Sequence, residues 1–134
     1  MTEMTPDELD TFLRETRIAK LAYLQASGAP TIVPVWFEWD GSVARVFTSR
    51  NSPKMRRLTA DPRVALSVEE PVGVPERWVT IEGLVSVSND GVAELIGRLA
   101  NRYYTPEKAA EVVDVWPAGS VVLTITPGRI RSGG

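Results

Sequence analysis

The chain has 134 residues, 43% of them hydrophobic and 24% charged, with a formal net charge of -2. That length supports one domain with its own hydrophobic core, and no apolar run reaches the length of a membrane span. With neither cysteine nor histidine, the chain cannot form disulfides, cysteine metal sites or histidine-dependent nucleophilic centres, so any chemistry falls to a bound cofactor.

The N-terminus MTEMTPDELD is acidic and has no apolar signal core, so a cytoplasmic protein is expected. Thr5-Pro6-Asp7-Glu8 predicts a helix start: Thr5 caps, Pro6 suits the first turn and Glu8 completes a capping box. Leu9, Phe12 and Leu13 give that helix one apolar face. Six strands are then expected: Ile18 to Ala26, Thr31 to Trp39, Val43 to Ser49, Arg63 to Glu69, Arg77 to Ser88, and Ser120 to Thr126. Asp40-Gly41 predicts a tight hairpin between the second and third. Ser52-Pro53 repeats the cap-then-proline pattern and opens a short helix that Asp61-Pro62 closes. Gly83 marks a bend or close approach within the fifth strand. Asn89 or Asp90 is expected to cap a helix through Ala100, a second short helical segment follows near Tyr103, Tyr104 and Trp116, and the RIRSGG tail is expected to fray. The pattern describes a mainly β, α+β domain spanning residues 1–134, an antiparallel barrel with short flanking helices.

The window Arg45 to Arg63 stands out electrostatically. It holds Arg45, Arg50, Lys54, Arg56, Arg57 and Arg63 against one acid, Asp61. Hydroxyls, free backbone N–H groups and cations near a helix start suit a phosphate or carboxylate. A lysine at such a start is unfavourable for the helix itself, so Lys54 makes sense opposite an anion; the plain alternative is a solvated surface lysine. Arg57, three residues on, shares its face. Thr48 and Ser49 lie on opposite strand faces, so only one can enter a given cleft. Pro34, within Val33-Pro34-Val35-Trp36, cannot donate to a ladder and marks an edge or a bulge. Trp36 and Trp39 should face opposite ways, one into the core and the other to an interface or ligand wall. Glu82 is expected to pair with Arg45 or Arg63.

The string VPVWFEWDG…VARVFTSRNSPKMRRLTADPRVALSVEE, followed by WVTIEGLVSV, resembles the pyridoxamine 5′-phosphate oxidase-like flavin-binding superfamily, and within it the small members that use FMN or the deazaflavin coenzyme F-420. The resemblance covers nearly the whole chain. It implies a six-stranded antiparallel split β-barrel that forms a homodimer, with a cofactor cleft at the interface. Carried onto this chain, the S-x-K pattern falls on Ser52 and Lys54, the strand end on Thr48 and Ser49, and Arg50 lies just beyond. Val33, Pro34, Val35 and Trp36 would run along the ring system. Members that oxidise pyridoxamine phosphate use further arginine and histidine contacts near the C-terminus; this chain offers only Arg129 and Arg131 there.

The expected function is therefore hydride transfer between FMN or F-420 and a small conjugated substrate, without true pyridoxamine phosphate oxidase activity. The arginine excess favours F-420, whose acidic tail needs a basic groove. No metal and no catalytic side chain are assigned. The rival from another class is a non-catalytic flavin- or ligand-binding protein for storage or sensing. Overall acidity and the lack of a recognition-helix or RNA-binding aromatic pattern argue against a nucleic-acid partner.

Overall fold

A computed structural model describes residues 2–134. Helix α1 (Pro6–Arg14) begins as expected. Thr5 accepts from the Glu8 N–H, and the Glu8 carboxylate accepts from the Thr5 N–H. Then come β1 (Ala19–Leu24), β2 (Pro30–Val35), β3 (Glu38–Trp39), β4 (Ala44–Ser49), α2 (Pro53–Ala60), β5 (Arg63–Glu69) and β6 (Trp78–Ser88). Helices α3 (Val92–Tyr103) and α4 (Pro106–Val112), a 3-10 turn (Trp116–Gly119) and β7 (Ser120–Gly133) complete the chain.

Among the described residues the strands form one antiparallel sheet in the order β2-β1-β5-β6-β7-β4-β3. Its two edges, β2 and β3, are consecutive in the chain, with only Trp36 and Phe37 between them. Three peptide units from Val35 to Glu38 span at most about 11 Å. The sheet must therefore curl until its edges nearly meet, closed by chain but not by a ladder, which is a split barrel. This corrects the expected strand count from six to seven. The run Thr31 to Trp39 reads as one strand because its apolar and β-branched character is continuous. The crossing from one edge to the other breaks it at Trp36–Phe37.

Alternate residues fill the barrel. Leu21, Val46, Leu66, Val68, Val79, Ile81, Leu123 and Ile125 are buried there with Phe37 and Trp39, and Phe12 and Leu13 of α1 cover one end. The Asp40-Gly41 turn forms as expected. The Asp40 carboxylate accepts from the Ser42 and Val43 N–H groups, and Gly41 takes a φ of +100° that favours glycine. Two further expectations need correction. Helix α3 starts at Val92, so Gly91 holds the cap position and has no side chain to bond there; Asn89, two residues earlier, accepts from Arg50 instead. The tail does not fray: β7 continues to Gly133, paired with Trp78, so ladder bonds to β6 hold a segment with little apolar pattern.

The β6–β7 ladder shifts register between Glu82 and Gly83. A Cβ at Gly83 would stand 2.2 Å from the Thr126 carbonyl oxygen. Backbone cannot yield that space cheaply, so Gly83→Ala should destabilise the fold by about 2–3 kcal/mol. Urea denaturation checks this; an unchanged midpoint would show that the bulge relaxes freely.

Candidate functional site

On β4, Ala44, Val46 and Thr48 face the interior, whereas Arg45, Phe47 and Ser49 face outward. The strand then turns into α2, whose start is set locally. The Ser52 hydroxyl accepts from the Met55 N–H at 3.2 Å, Pro53 opens the helix, and Leu58 is buried beneath it. This geometry brings Lys54 to a cleft of about 500 Å³ on the outside of the barrel, lined also by Ile18, Pro34, Val35, Trp36, Phe47 and Trp116.

The walls are largely aromatic. Trp36 lies flat on Tyr103, with centroids 5.1 Å apart and planes at 3°. It meets Tyr104 edge-on at 4.7 Å, and Trp116 stands 5.8 Å from both Trp36 and Phe47. Helix α3 backs this wall, with Leu95 and Leu99 packed on Val122, Trp36 and Phe47. Lys54 is the cation in this apolar setting. Burial alone holds its ammonium below the ordinary lysine value, with no carboxylate to compensate among the described residues.

The remaining expected residues divide. Pro34, Val35 and Trp36 line the cleft, with Pro34 on the edge strand β2; Val33 packs against the barrel core instead. Thr48 is buried, with its hydroxyl 3.3 Å from that of Ser52, and Ser49 is exposed on the outward face. Arg50 is exposed and donates to Asn89 at 2.9 Å. Arg57 donates its Nε to the Leu24 carbonyl, which ties α2 to the end of β1.

The basic window is thus dispersed. Arg45 pairs with Asp40 at 2.7 Å, and Arg63 grips Asp61 at 2.8 Å, holding that carboxyl down to about 2. Glu82 pairs with Arg131 at 3.2 Å, not with Arg45 or Arg63, because the β6–β7 register sets the β7 tail beside it. As expected, Trp39 goes to the core, donating to Asp10, and Trp36 to the cleft wall.

Sequence reasoning did not single out Ile18, Phe47 and Trp116 as cleft residues. Phe47 was legible from alternation, being two residues before Ser49. Trp116 sits outside any periodic pattern and has no such signal. Among the described residues no cluster of acidic side chains suits a metal ion, and no helix is long and apolar enough to cross a membrane.

Residues 5–132 match the pyridoxamine 5′-phosphate oxidase family. A comparison with curated proteins found no match. Among solved structures, the chain is similar to a protein described as an F-420 reductase (27% identity, 90% of this chain and 94% of that one, TM-score 0.74). It is also similar to a conserved hypothetical protein from Mycobacterium tuberculosis (26% identity, 96% and 84%, TM-score 0.83). A heme storage protein from Vibrio cholerae shares the fold alone (16% identity, 92% and 91%, TM-score 0.71).

The Lys54 environment generates a signed prediction. A lysine whose folded pKa is lowered penalises the fold fully at pH values below that pKa; the penalty fades as pH rises through it and vanishes above the ordinary value of 10.5. Lys54→Met should therefore raise the Tm of the ligand-free protein at pH 7, and the gain should shrink as pH approaches 10.5. Thermal melts across pH check this; a lower Tm at pH 7 would mean that the ammonium is already compensated.

Proposed function

The chain belongs to the pyridoxamine 5′-phosphate oxidase family, and from that premise we propose that it is a flavin- or deazaflavin-dependent oxidoreductase. The observation that carries this reading is the part-buried ammonium of Lys54, without an acid partner among the described residues, in a cleft walled by Trp36, Phe47 and Trp116. A phosphorylated aromatic cofactor suits both features: its anion relieves the lysine, and its ring replaces water against the aromatic walls. Lys54 and the Ser52 hydroxyl would hold the phosphate, and Pro34, Val35 and Trp36 would run along the ring. Bound there, a flavin or deazaflavin supplies hydride transfer, and the protein supplies orientation and exclusion of water.

Coenzyme F-420 is the preferred cofactor within this proposal, supported by the likeness to the F-420 reductase. Pyridoxamine phosphate oxidation itself is not proposed: the chain has no histidine, and Arg131 is paired with Glu82. The alternative is a non-catalytic flavin- or ligand-binding protein for storage or sensing; the likeness to the heme storage protein is one of fold alone, and the chain has neither histidine nor cysteine to offer a heme iron. We further propose a homodimer. Ile18, Ile32 and Leu84 are exposed apolar side chains; Ile18 lines the cleft and Ile32 shares the outward face of β2 with Pro34, where a second copy would cover them beside the cleft.

Titration of the purified protein with FMN and with oxidised F-420, followed by cofactor fluorescence, tests the reading. One should bind tightly, and Lys54→Ala should weaken it by about 10–100-fold, the worth of a charge-assisted hydrogen bond, with the far-UV spectrum unchanged. Turnover of the reduced cofactor with an acceptor separates an enzyme from a storage protein. Binding of neither cofactor sinks the proposal.

For the dimer, Ile32→Glu should shift the mass seen by light scattering from two chains to one. A wild-type protein that is already monomeric at micromolar concentration would remove this part of the proposal.

A further inference from the structure

Tyr103 does not line the cleft, yet it holds the residue that does. Its hydroxyl donates to the Arg17 carbonyl at 2.6 Å and accepts from the Phe37 N–H at 3.3 Å. Phe37 is fully buried at the crossing between the two sheet edges, where no strand partner is at hand for its backbone. A buried N–H there needs an acceptor, and Tyr103 is one. The same ring lies flat against Trp36, one residue earlier, at 5.1 Å and 3°. One side chain thus fixes both the backbone that carries Trp36 and the plane of its indole.

The anchorage of α3 does not depend on that hydroxyl. The neighbouring Arg102 guanidinium donates to the carbonyls of Arg14 at 2.8 Å and Glu15 at 2.7 Å, tying the end of α3 to the end of α1. Leu95, Leu99 and Ala100 are buried along the same helix. Loss of the Tyr103 hydroxyl should therefore loosen the crossing while leaving the helix docked.

We propose that Tyr103 is a positioning residue for the cleft, setting the plane of Trp36 through its stacked ring and its hydroxyl at the crossing. The consequence for ligand binding rests on the cofactor reading above; the consequence for Trp36 itself does not. A flat ligand stacks well only on a wall held at one angle, and a preorganised wall saves the ordering cost at binding. Tyr103 then favours planar ring systems over flexible anions of similar charge.

The test uses protein labelled with 5-fluorotryptophan, whose four tryptophans give separate fluorine resonances; loss of one in Trp36→Phe assigns Trp36. Tyr103→Phe keeps the stack and removes the hydroxyl, and Tyr103→Leu removes both. In Tyr103→Phe the Trp36 resonance should shift or broaden while those of Trp39 and Trp78 stay in place. Affinity for the bound cofactor, FMN or F-420, should fall about two- to tenfold, the cost of ordering one side chain at binding. Inorganic phosphate, which needs no stacking, should bind as before. Tyr103→Leu should exceed Tyr103→Phe on each readout; if it does not fold, Tyr103→Phe decides. An unmoved Trp36 resonance overturns the proposal, as does a uniform change in all four resonances with a matching fall in Tm. If wild-type protein binds neither cofactor, the cofactor reading fails and the Trp36 resonance still decides the positioning role.

Discussion

A single sheet whose two edges are joined by two residues is the constraint on which the rest of this molecule depends. Trp36 and Phe37 belong to no ladder, yet they pull β2 and β3 together and oblige the other strands to curl. The two residues also face apart. Phe37 fills the interior, and Trp36 is left outside beside Lys54. Closure of the barrel and construction of the cleft wall are thus one event. A ladder across the seam would satisfy the backbone, but it would remove the irregular stretch that lines the cleft.

Lys54 shows the opposite tendency, a local cost that the fold leaves unrelieved. The start of a helix repels a cation, and burial weakens its charged form further. Several arginines, by contrast, are paired with acids: Arg63 with Asp61, Arg45 with Asp40, Arg98 with Glu38 and Arg77 with Glu70. Under the proposed function, the imbalance at Lys54 is met by charge brought from outside. The proposed anion would supply what the fold withholds, which links affinity to stability at one atom.

Features governed by near neighbours in the chain were legible in its letters. The caps at Thr5 and Ser52, the Asp40-Gly41 turn and the close approach at Gly83 each need only a few residues of context. The barrel class followed from the spacing of apolar strands and turns. What depended on distant partners was not legible. Nothing within Thr31 to Trp39 announces that the chain changes edges there. The polar β7 tail is ordered by β6, and the helix start at Val92 puts Gly91, not Asn89 or Asp90, at the cap. For the cleft, Lys54 and the Pro34–Trp36 stretch were readable, whereas the run of basic residues suggested a patch that the fold disperses: Arg45 and Arg63 go to acids, Arg50 to Asn89 and Arg57 to a backbone carbonyl. Trp116 arrives through a 3-10 turn without periodic signature, so only the fold reveals its place.

Strand β7 comes last in chain order but lies between β6 and β4 in the sheet. During synthesis, β4 and β6 therefore wait with open hydrogen-bonding edges until residues 120–133 leave the ribosome. The β3–β4 hairpin in particular has no ladder to the rest of the sheet except through β7. Before it, only the set β2-β1-β5-β6 can pair as one sheet, and chains stalled before Ser120 would leave β4 and β6 with unpaired edges open to other copies.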